Sequence, residues 1–163
     1  MTIKIITIGV YGFTEEPFFR ALHTALVDTF CDLRQRRNVR GSAYAFANSE
    51  RLQRRLAALG IHYLHRKDLA PTTAIRQRQE EADKANKIAK RQRTDLSQAF
   101  VEAYRQEVLA PFRPQSWLEA LPSEAQVVAL FCVEREPAAC HRSLVAEWLR
   151  QELGLEVEHI VPP

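Results

Sequence analysis

The residues best suited to chemistry in this chain of 163 residues lie in the stretch CVEREPAACHR, residues 132–142. It directly follows the apolar run QVVALF, which is typical of a buried strand. Cys132 and Glu134 are two residues apart, so at the end of a strand their side chains project from the same face. We expect Cys140, His141 and Arg142 in the first turns of a following helix, where free backbone N–H groups and the helix dipole favour an anion.

Three kinds of site are compatible with this stretch. A thiol at a helix start beside His141 and Arg142 can react as a thiolate, and Arg142 can grip a phosphate or carboxylate through two parallel hydrogen bonds. A zinc site made of Cys132, Glu134, Cys140 and His141 is the second kind, although no C-x-x-C pair is present and the nearby arginines disfavour a cation. In the third, the two cysteines are packing residues and Glu134 pairs with Arg142. The packing interpretation is preferred for Cys132 alone, and a functional one for Cys140, His141 and Arg142 together.

A second cluster, DLRQRRNVRGS, follows another short strand at residues 32–42. Four arginines with one aspartate fit a phosphate or nucleic-acid contact better than a solvated loop does. We expect Asp32 to orient one of these arginines. The residues predicted to hold the anion are Arg34, Arg40 and Arg142.

A third cluster lies in YLHRKDLAPT, where Tyr63 offers a ring for stacking and His65 a group for acid–base chemistry. A strand with one face in solvent explains these residues equally well. The candidate catalytic residues are Glu134, Cys140, His141 and His65, and the supporting residues are Asp32, Tyr63 and Cys132.

The elements that must position these clusters alternate along the chain. Strand-like runs at residues 3–9, 28–34, 61–65, 126–134 and 155–161 are separated by amphipathic helical patterns. This pattern predicts a single α/β domain over residues 1–163, with a mainly parallel open sheet of about five strands flanked by helices. Ligands bind beyond the carboxyl ends of the strands in such sheets, which is where the polar clusters fall.

Residues 74–95 are predicted to form a charged helical insert or arm within this domain. Seven basic and three acidic residues lie between positions 76 and 93. A solvated helix is the ordinary explanation, and the absence of interleaved aromatic residues weakens a stacking role on single strands. An electrostatic arm over a pocket or along a phosphate backbone is the alternative.

Composition limits the class of protein. The net charge of +3 is too small by itself to imply nucleic acid, and three cysteines indicate reduced thiols instead of a disulfide framework. No apolar run approaches the roughly 20 residues of a membrane helix, so we expect a cytoplasmic protein without a membrane partner. The sequence contains no G-x-G-x-x-G fingerprint, which favours hydrolysis or group transfer over redox chemistry. It predicts neither a cofactor nor an oligomeric state.

These features together resemble the domain of unknown function 488 family. The resemblance is carried by TIG at residues 7–9, DLR at 32–34, GIHYLH at 60–65, FCVEREPAACHR at 131–142 and the closing VEHI. Two stretches, VRGSAYAFANSERLQ and DLAPT, look like one branch of that family, and the charged insert is not general in it. The resemblance implies an intracellular α/β domain with a polar pocket and no particular reaction.

The leading hypothesis is therefore an enzyme or binding domain acting on a phosphate-bearing ligand, either a nucleotide or a nucleic acid. A non-catalytic nucleic-acid binding module and a zinc-binding domain are the alternatives.

Overall fold

The computed structural model describes residues 2–89 and 93–163. The strands in them are β1 (Lys4–Gly9), β2 (Thr29–Asp32), β3 (His62–His65), β4 (Val127–Cys132) and β5 (Glu156–Ile160). The helices are α1 (Glu15–Thr24), α2 (Ser49–Ala58), α3 (Thr73–Ala85), α4 (Gln98–Tyr104), α5 (Pro114–Glu119) and α6 (His141–Leu153). Among the described residues, no helix has the length and apolar character that crossing a membrane requires.

The strands form one parallel sheet in the order β3-β2-β4-β1-β5, with helices packed on both faces. The predicted α/β class is thus confirmed, including the number of strands and their parallel arrangement. The described cysteines, Cys31, Cys132 and Cys140, are all free thiols and all buried.

Strand β4 lies in the sheet interior and is apolar on both faces. Val128 and Leu130 belong to the core layer that α4 and α6 cover, whereas Ala129 and Phe131 belong to the layer that α1 and α2 cover. Successive side chains of a strand point to opposite faces, so a strand buried on both sides needs a continuous apolar run. This is why the sequence QVVALF produces a central strand.

The carboxyl ends of the inner strands are level with one another. Gly9, the last residue of β1, pairs with Cys132, the last residue of β4. Asp32 at the end of β2 is level with Phe131 on one side and with His65 on the other. The polar residues that follow these strands therefore emerge at a single edge of the sheet.

Cys140 lies immediately before the helix that follows β4, whereas the sequence predicts it within the first turns. Pro137–Ala139 forms a separate 3-10 turn, and Cys140 then adopts an extended conformation, with φ −135° and ψ 144°. Because an extended residue cannot continue a helix, α6 starts at His141 with Cys140 as its N-cap. It ends at Gly154, which takes the left-handed conformation of a helix C-cap.

The charged segment predicted over residues 74–95 contains α3. Thr72 caps this helix, and its Oγ1 accepts a hydrogen bond from the Ile75 N–H at 3.2 Å. The buried residues of α3 are Ile75, Gln79 and Asp83, spaced by four along one face, and the helix packs against α4. Lys90 and Arg91 of the predicted basic segment lie outside the described residues.

Candidate functional site

A cleft of about 600 Å³ lies beyond the carboxyl ends of β2 and β4. Its walls are the loop after β2, helix α3 with the segment that follows it, and the β4–α6 loop. This volume falls inside the range of roughly 300–1,000 Å³ that small-molecule sites occupy. Among the described residues, six basic side chains line the cleft against three acidic ones, which gives it a positive balance. The basic residues are Arg34, Arg36, Arg40, Arg76, Lys84 and Arg93, and the acidic ones are Glu80, Asp83 and Glu134.

Arg34 lies on the cleft wall and is held by Asp32. Its Nε donates to Asp32 Oδ1 at 2.9 Å and its Nη2 donates to Oδ2 at 2.8 Å, so the pair is bidentate. Asp32 is completely buried and Arg34 is only 4% exposed. The guanidinium also lies over the Phe131 ring, with Cζ 4.8 Å from the ring centroid. These contacts fix the orientation of a charged side chain at the cleft.

Tyr63 and His65 hold the Asp32–Arg34 pair through hydrogen bonds to Asp32 and to the main chain of Arg34. The Tyr63 hydroxyl donates to Asp32 Oδ2 at 2.6 Å, and burial together with this hydrogen bond raises the pKa of Tyr63 to about 12. His65 Nε2 donates to the Arg34 carbonyl oxygen at 2.7 Å. Neither ring is among the described residues that line the cleft. The structure thus brings both predicted residues to the site as neighbours of Arg34 and Asp32.

Three polar atoms at the cleft have no hydrogen-bond partner among the described residues. They are Arg34 Nη1, Arg76 Nε and Gln35 Oε1, and all three are buried. Arg34 is the most deeply buried of these cleft residues, and its Nη1 is the one guanidinium nitrogen that Asp32 does not engage. A buried polar group without a partner costs about 1–3 kcal/mol, so such groups mark places where a ligand or an ordered water binds.

Arg142 is placed differently from Arg34, although the sequence predicted an anion contact for both. It is completely buried and is not among the described residues that line the cleft. Its Nη1 donates to the Glu134 carbonyl oxygen at 2.6 Å and its Nη2 donates to the Arg135 carbonyl oxygen at 3.2 Å. These bonds hold the main chain of the β4–α6 loop. Arg40, the third predicted contact, is exposed at the cleft.

The close approach of Gly9 to this loop has a steric cause. A Cβ atom at Gly9 would lie 1.8 Å from the Glu134 carbonyl oxygen and 2.9 Å from Arg142 Nη1. Only a residue without a side chain allows the loop to pass this close to the end of β1. Gly9 of the TIG motif therefore leaves room for the main chain of Glu134, whose carbonyl oxygen accepts a hydrogen bond from Arg142.

Arg93 is a site residue that no specific sequence signal predicted. Its Nη2 lies 2.6 Å from Asp83 Oδ2 and its Nη1 lies 3.6 Å from Glu134 Oε1. Gln79 Nε2 also donates to Asp83 Oδ1, at 2.9 Å. Burial acts to raise the pKa of Asp83, but the hydrogen bonds from Arg93 and Gln79 outweigh it, so this pKa lies below its usual value. Arg93 thereby links α3 to the end of β4 across the cleft.

Cys132, Cys140 and His141 form a buried cluster that also lines the cleft. The sulfur atoms of Cys132 and Cys140 lie 3.7 Å and 3.9 Å from His141 Nδ1. His141 Nε2 lies 3.0 Å from the Leu33 carbonyl oxygen. Because a carbonyl oxygen only accepts, Nε2 donates to it, and in the neutral ring the lone pair of Nδ1 then faces the two sulfur atoms.

The two thiols differ in acidity. A hydrogen bond to Cys140 and burial raise the pKa of Cys132 well above its usual value. Burial also acts to raise the pKa of Cys140, but the hydrogen bond from Cys132 and the positive charge of Arg142 outweigh it and lower this pKa well below the usual value. Cys140 is therefore the thiol of the pair that ionises first.

The fold and the cleft define a parallel α/β domain with a positively charged polar site at the carboxyl edge of its sheet. Residues 15–149 match the family model described as domain of unknown function DUF488, and the chain belongs to that family. No match was found among curated proteins or among solved structures.

Proposed function

We propose that the cleft binds a phosphate-bearing ligand, a nucleotide or the end of a nucleic acid, and acts on it by hydrolysis or group transfer. The observation that carries this proposal is the unpartnered Nη1 of Arg34. Asp32 uses two of the three guanidinium nitrogen atoms of Arg34, so the third is oriented before any ligand arrives. A phosphate oxygen is a suitable acceptor for it, because arginine hydrogen bonds to phosphate are charge-assisted and directional.

The other unpartnered atoms favour a nucleotide over a bare anion. Arg76 Nε is a second donor for phosphate, whereas Gln35 Oε1 is an acceptor that phosphate cannot satisfy. A ribose hydroxyl or a base amino group supplies the missing donor. The exposed residues Arg36 and Arg40 add positive charge at the cleft, which attracts an anion and weakens in high salt.

The reacting groups in this proposal line the cleft. In this proposal the carboxylate of Glu134, which lines the cleft 3.6 Å from Arg93 Nη1, accepts or returns a proton during hydrolysis or transfer. Cys140 and His141 lie beside it on the same wall. His65 acts indirectly, as a positioning residue, because its ring holds the main chain of Arg34.

The test is equilibrium binding of ADP and of inorganic phosphate, measured by calorimetry. Removal of Arg34 alone would leave Asp32 as an unpaired buried charge, at a cost of roughly 3–5 kcal/mol in stability. The informative variant is therefore the double substitution Asp32→Asn/Arg34→Gln, with Arg54→Gln as the control, because Arg54 is exposed on α2 and is not among the residues lining the cleft. Circular dichroism checks that each variant is folded.

We expect the double variant to bind ADP about tenfold to a hundredfold more weakly, the equivalent of losing a charged hydrogen bond of roughly 1.5–3 kcal/mol. The Arg54→Gln control should bind as the wild type does. Equal affinity of the folded double variant and the wild type would overturn the proposal, and so would a wild type that binds neither probe.

A short single-stranded oligonucleotide distinguishes this site from a non-catalytic nucleic-acid binding module. A nucleotide site binds ADP with an affinity that depends on Arg34. A binding module instead shows affinity that grows with strand length and falls steeply with salt, because many phosphates are neutralised. Strong oligonucleotide binding without ADP binding would therefore replace the proposed function with the second one.

A further inference from the structure

The buried cluster of Cys132, Cys140 and His141 has the composition and spacing of a metal site. Their three ligand atoms all lie within 4.8 Å of one another, and each side chain is at least nine-tenths buried. Within residues 2–89 and 93–163, no other group of three or more histidine, cysteine or acidic side chains comes together in this way. We infer that these three residues bind a single thiophilic divalent ion of the zinc type.

The distances match tetrahedral coordination. Zinc bonds of about 2.3 Å to sulfur and about 2.0–2.1 Å to nitrogen place a sulfur and a nitrogen ligand about 3.6 Å apart in a tetrahedron. The two sulfur atoms lie 3.7 Å and 3.9 Å from His141 Nδ1. These two distances exceed the tetrahedral one by only about 0.1–0.3 Å.

The histidine is already oriented as a metal ligand. Its Nε2–H donates to the Leu33 carbonyl oxygen, which leaves the Nδ1 lone pair directed at the sulfur atoms. Histidines that bind metals characteristically donate their other ring N–H to a carbonyl or carboxylate oxygen in this way.

Charge does not exclude the ion, although the arginines near these residues in the sequence indicate a site that disfavours a cation. Two thiolates and a neutral imidazole make a neutral complex with a divalent ion. Arg142 is engaged by the carbonyl oxygens of Glu134 and Arg135, and Arg34 is engaged by Asp32. The neutral complex therefore adds no net charge beside these arginines.

All three ligand residues line the cleft, so a fourth ligand would reach the ion from that side. Three protein ligands with one open position is the arrangement of catalytic zinc sites, where water occupies the fourth place. With the ion bound, Cys140 is a ligand instead of a nucleophile, and Glu134 is the nearby carboxylate for proton transfer. The catalytic use of the ion rests on the proposed function, whereas its binding does not.

The test starts with elemental analysis of protein expressed without a histidine tag and purified without chelator. We expect zinc in an equimolar amount in the wild type and its loss in Cys140→Ser. Cys31→Ser is the matched control, since Cys31 is also buried but belongs to the core at β2, away from the cluster. It should retain the metal. Equal zinc in Cys140→Ser and the wild type would overturn the inference.

A second measurement on the wild type covers the case in which Cys140→Ser does not fold. Cobalt(II) added to the reduced, metal-free protein should produce thiolate-to-cobalt charge-transfer absorption, and zinc added in equimolar amount should abolish it. A folded wild type that shows no such absorption with excess cobalt also overturns the inference. Arg34-dependent ADP binding in a protein without a metal site would leave the proposed function intact, so the two failures are distinguishable.

Discussion

Substituting Gly9 by alanine tests how the β4–α6 loop is held at the cleft. The new Cβ would lie 1.8 Å from the Glu134 carbonyl oxygen, whereas real Cβ atoms essentially never approach within 3.0 Å. The carbonyl must therefore retreat by at least 1.2 Å, which is 3.0 minus 1.8. The obstacle is main chain instead of a flexible side chain, so the collision cannot be relieved by a change of rotamer.

The retreat also breaks a hydrogen bond. Arg142 Nη1 donates to this carbonyl oxygen at 2.6 Å, and Arg142 is completely buried. Overpacking costs about 1–3 kcal/mol and loss of a hydrogen bond to a charged group costs roughly 1.5–3 kcal/mol. We expect Gly9→Ala to lower the free energy of unfolding by about 2.5–6 kcal/mol, which corresponds to a fall in melting temperature of about 5–24 °C.

Urea denaturation followed by circular dichroism measures this loss, and Gly60→Ala is the control. An alanine at Gly60 meets no atom within 4 Å, so its cost is only that of a positive φ, roughly 1–2 kcal/mol. Gly9→Ala should also weaken ADP binding because Glu134 moves, whereas Gly60→Ala should not. A stability loss below about 1 kcal/mol for Gly9→Ala, with unchanged ADP affinity, would refute the reasoning.

Two further substitutions test the supports of the cleft. Tyr63→Phe removes a hydrogen bond to the buried Asp32 carboxylate and should lower the free energy of unfolding by about 1–3 kcal/mol, measured by urea denaturation. In the wild type, absorbance titration should show Tyr63 ionising only near pH 12. No loss on substitution would mean that Asp32 does not need this donor. Asp83→Asn should cost about 1–3 kcal/mol at pH 7. Because the pKa of Asp83 is lowered in the folded protein, its contribution is present above the unfolded value of about 3.8 and is lost as pH falls through the folded pKa. The stability difference between wild type and Asp83→Asn should therefore shrink in acid, and a difference independent of pH would contradict the Arg93–Asp83 pairing.

The fold was predictable from the sequence because its signals are local. The apolar run before Cys132 specifies an inner strand, and Gly154 specifies the end of α6. Parallel strands then place the polar residues after each strand at one edge, which brings Asp32, Arg34 and Glu134 to the same region. No local signal set the exact start of α6, since it depends on the extended conformation that Cys140 adopts.

The partners of the individual arginines were not predictable. His141 and Arg142 are neighbours in sequence, but successive helical residues differ in direction by about 100°, so one faces the cleft cluster and the other the loop main chain. The sequence around Asp83 predicts a solvated charged helix, yet Asp83 pairs with Arg93 ten residues later. Such pairings depend on how the chain after α3 returns to the domain, and this information is not contained in spacing or composition.

The most direct test of the central claim is a crystal structure of the protein with ADP bound. We expect a phosphate oxygen of ADP within about 3.2 Å of Arg34 Nη1, with Asp32 still bonded to the other side of the same guanidinium. ADP bound at another surface, or bound in the cleft with Arg34 Nη1 contacting no ligand atom, would contradict it.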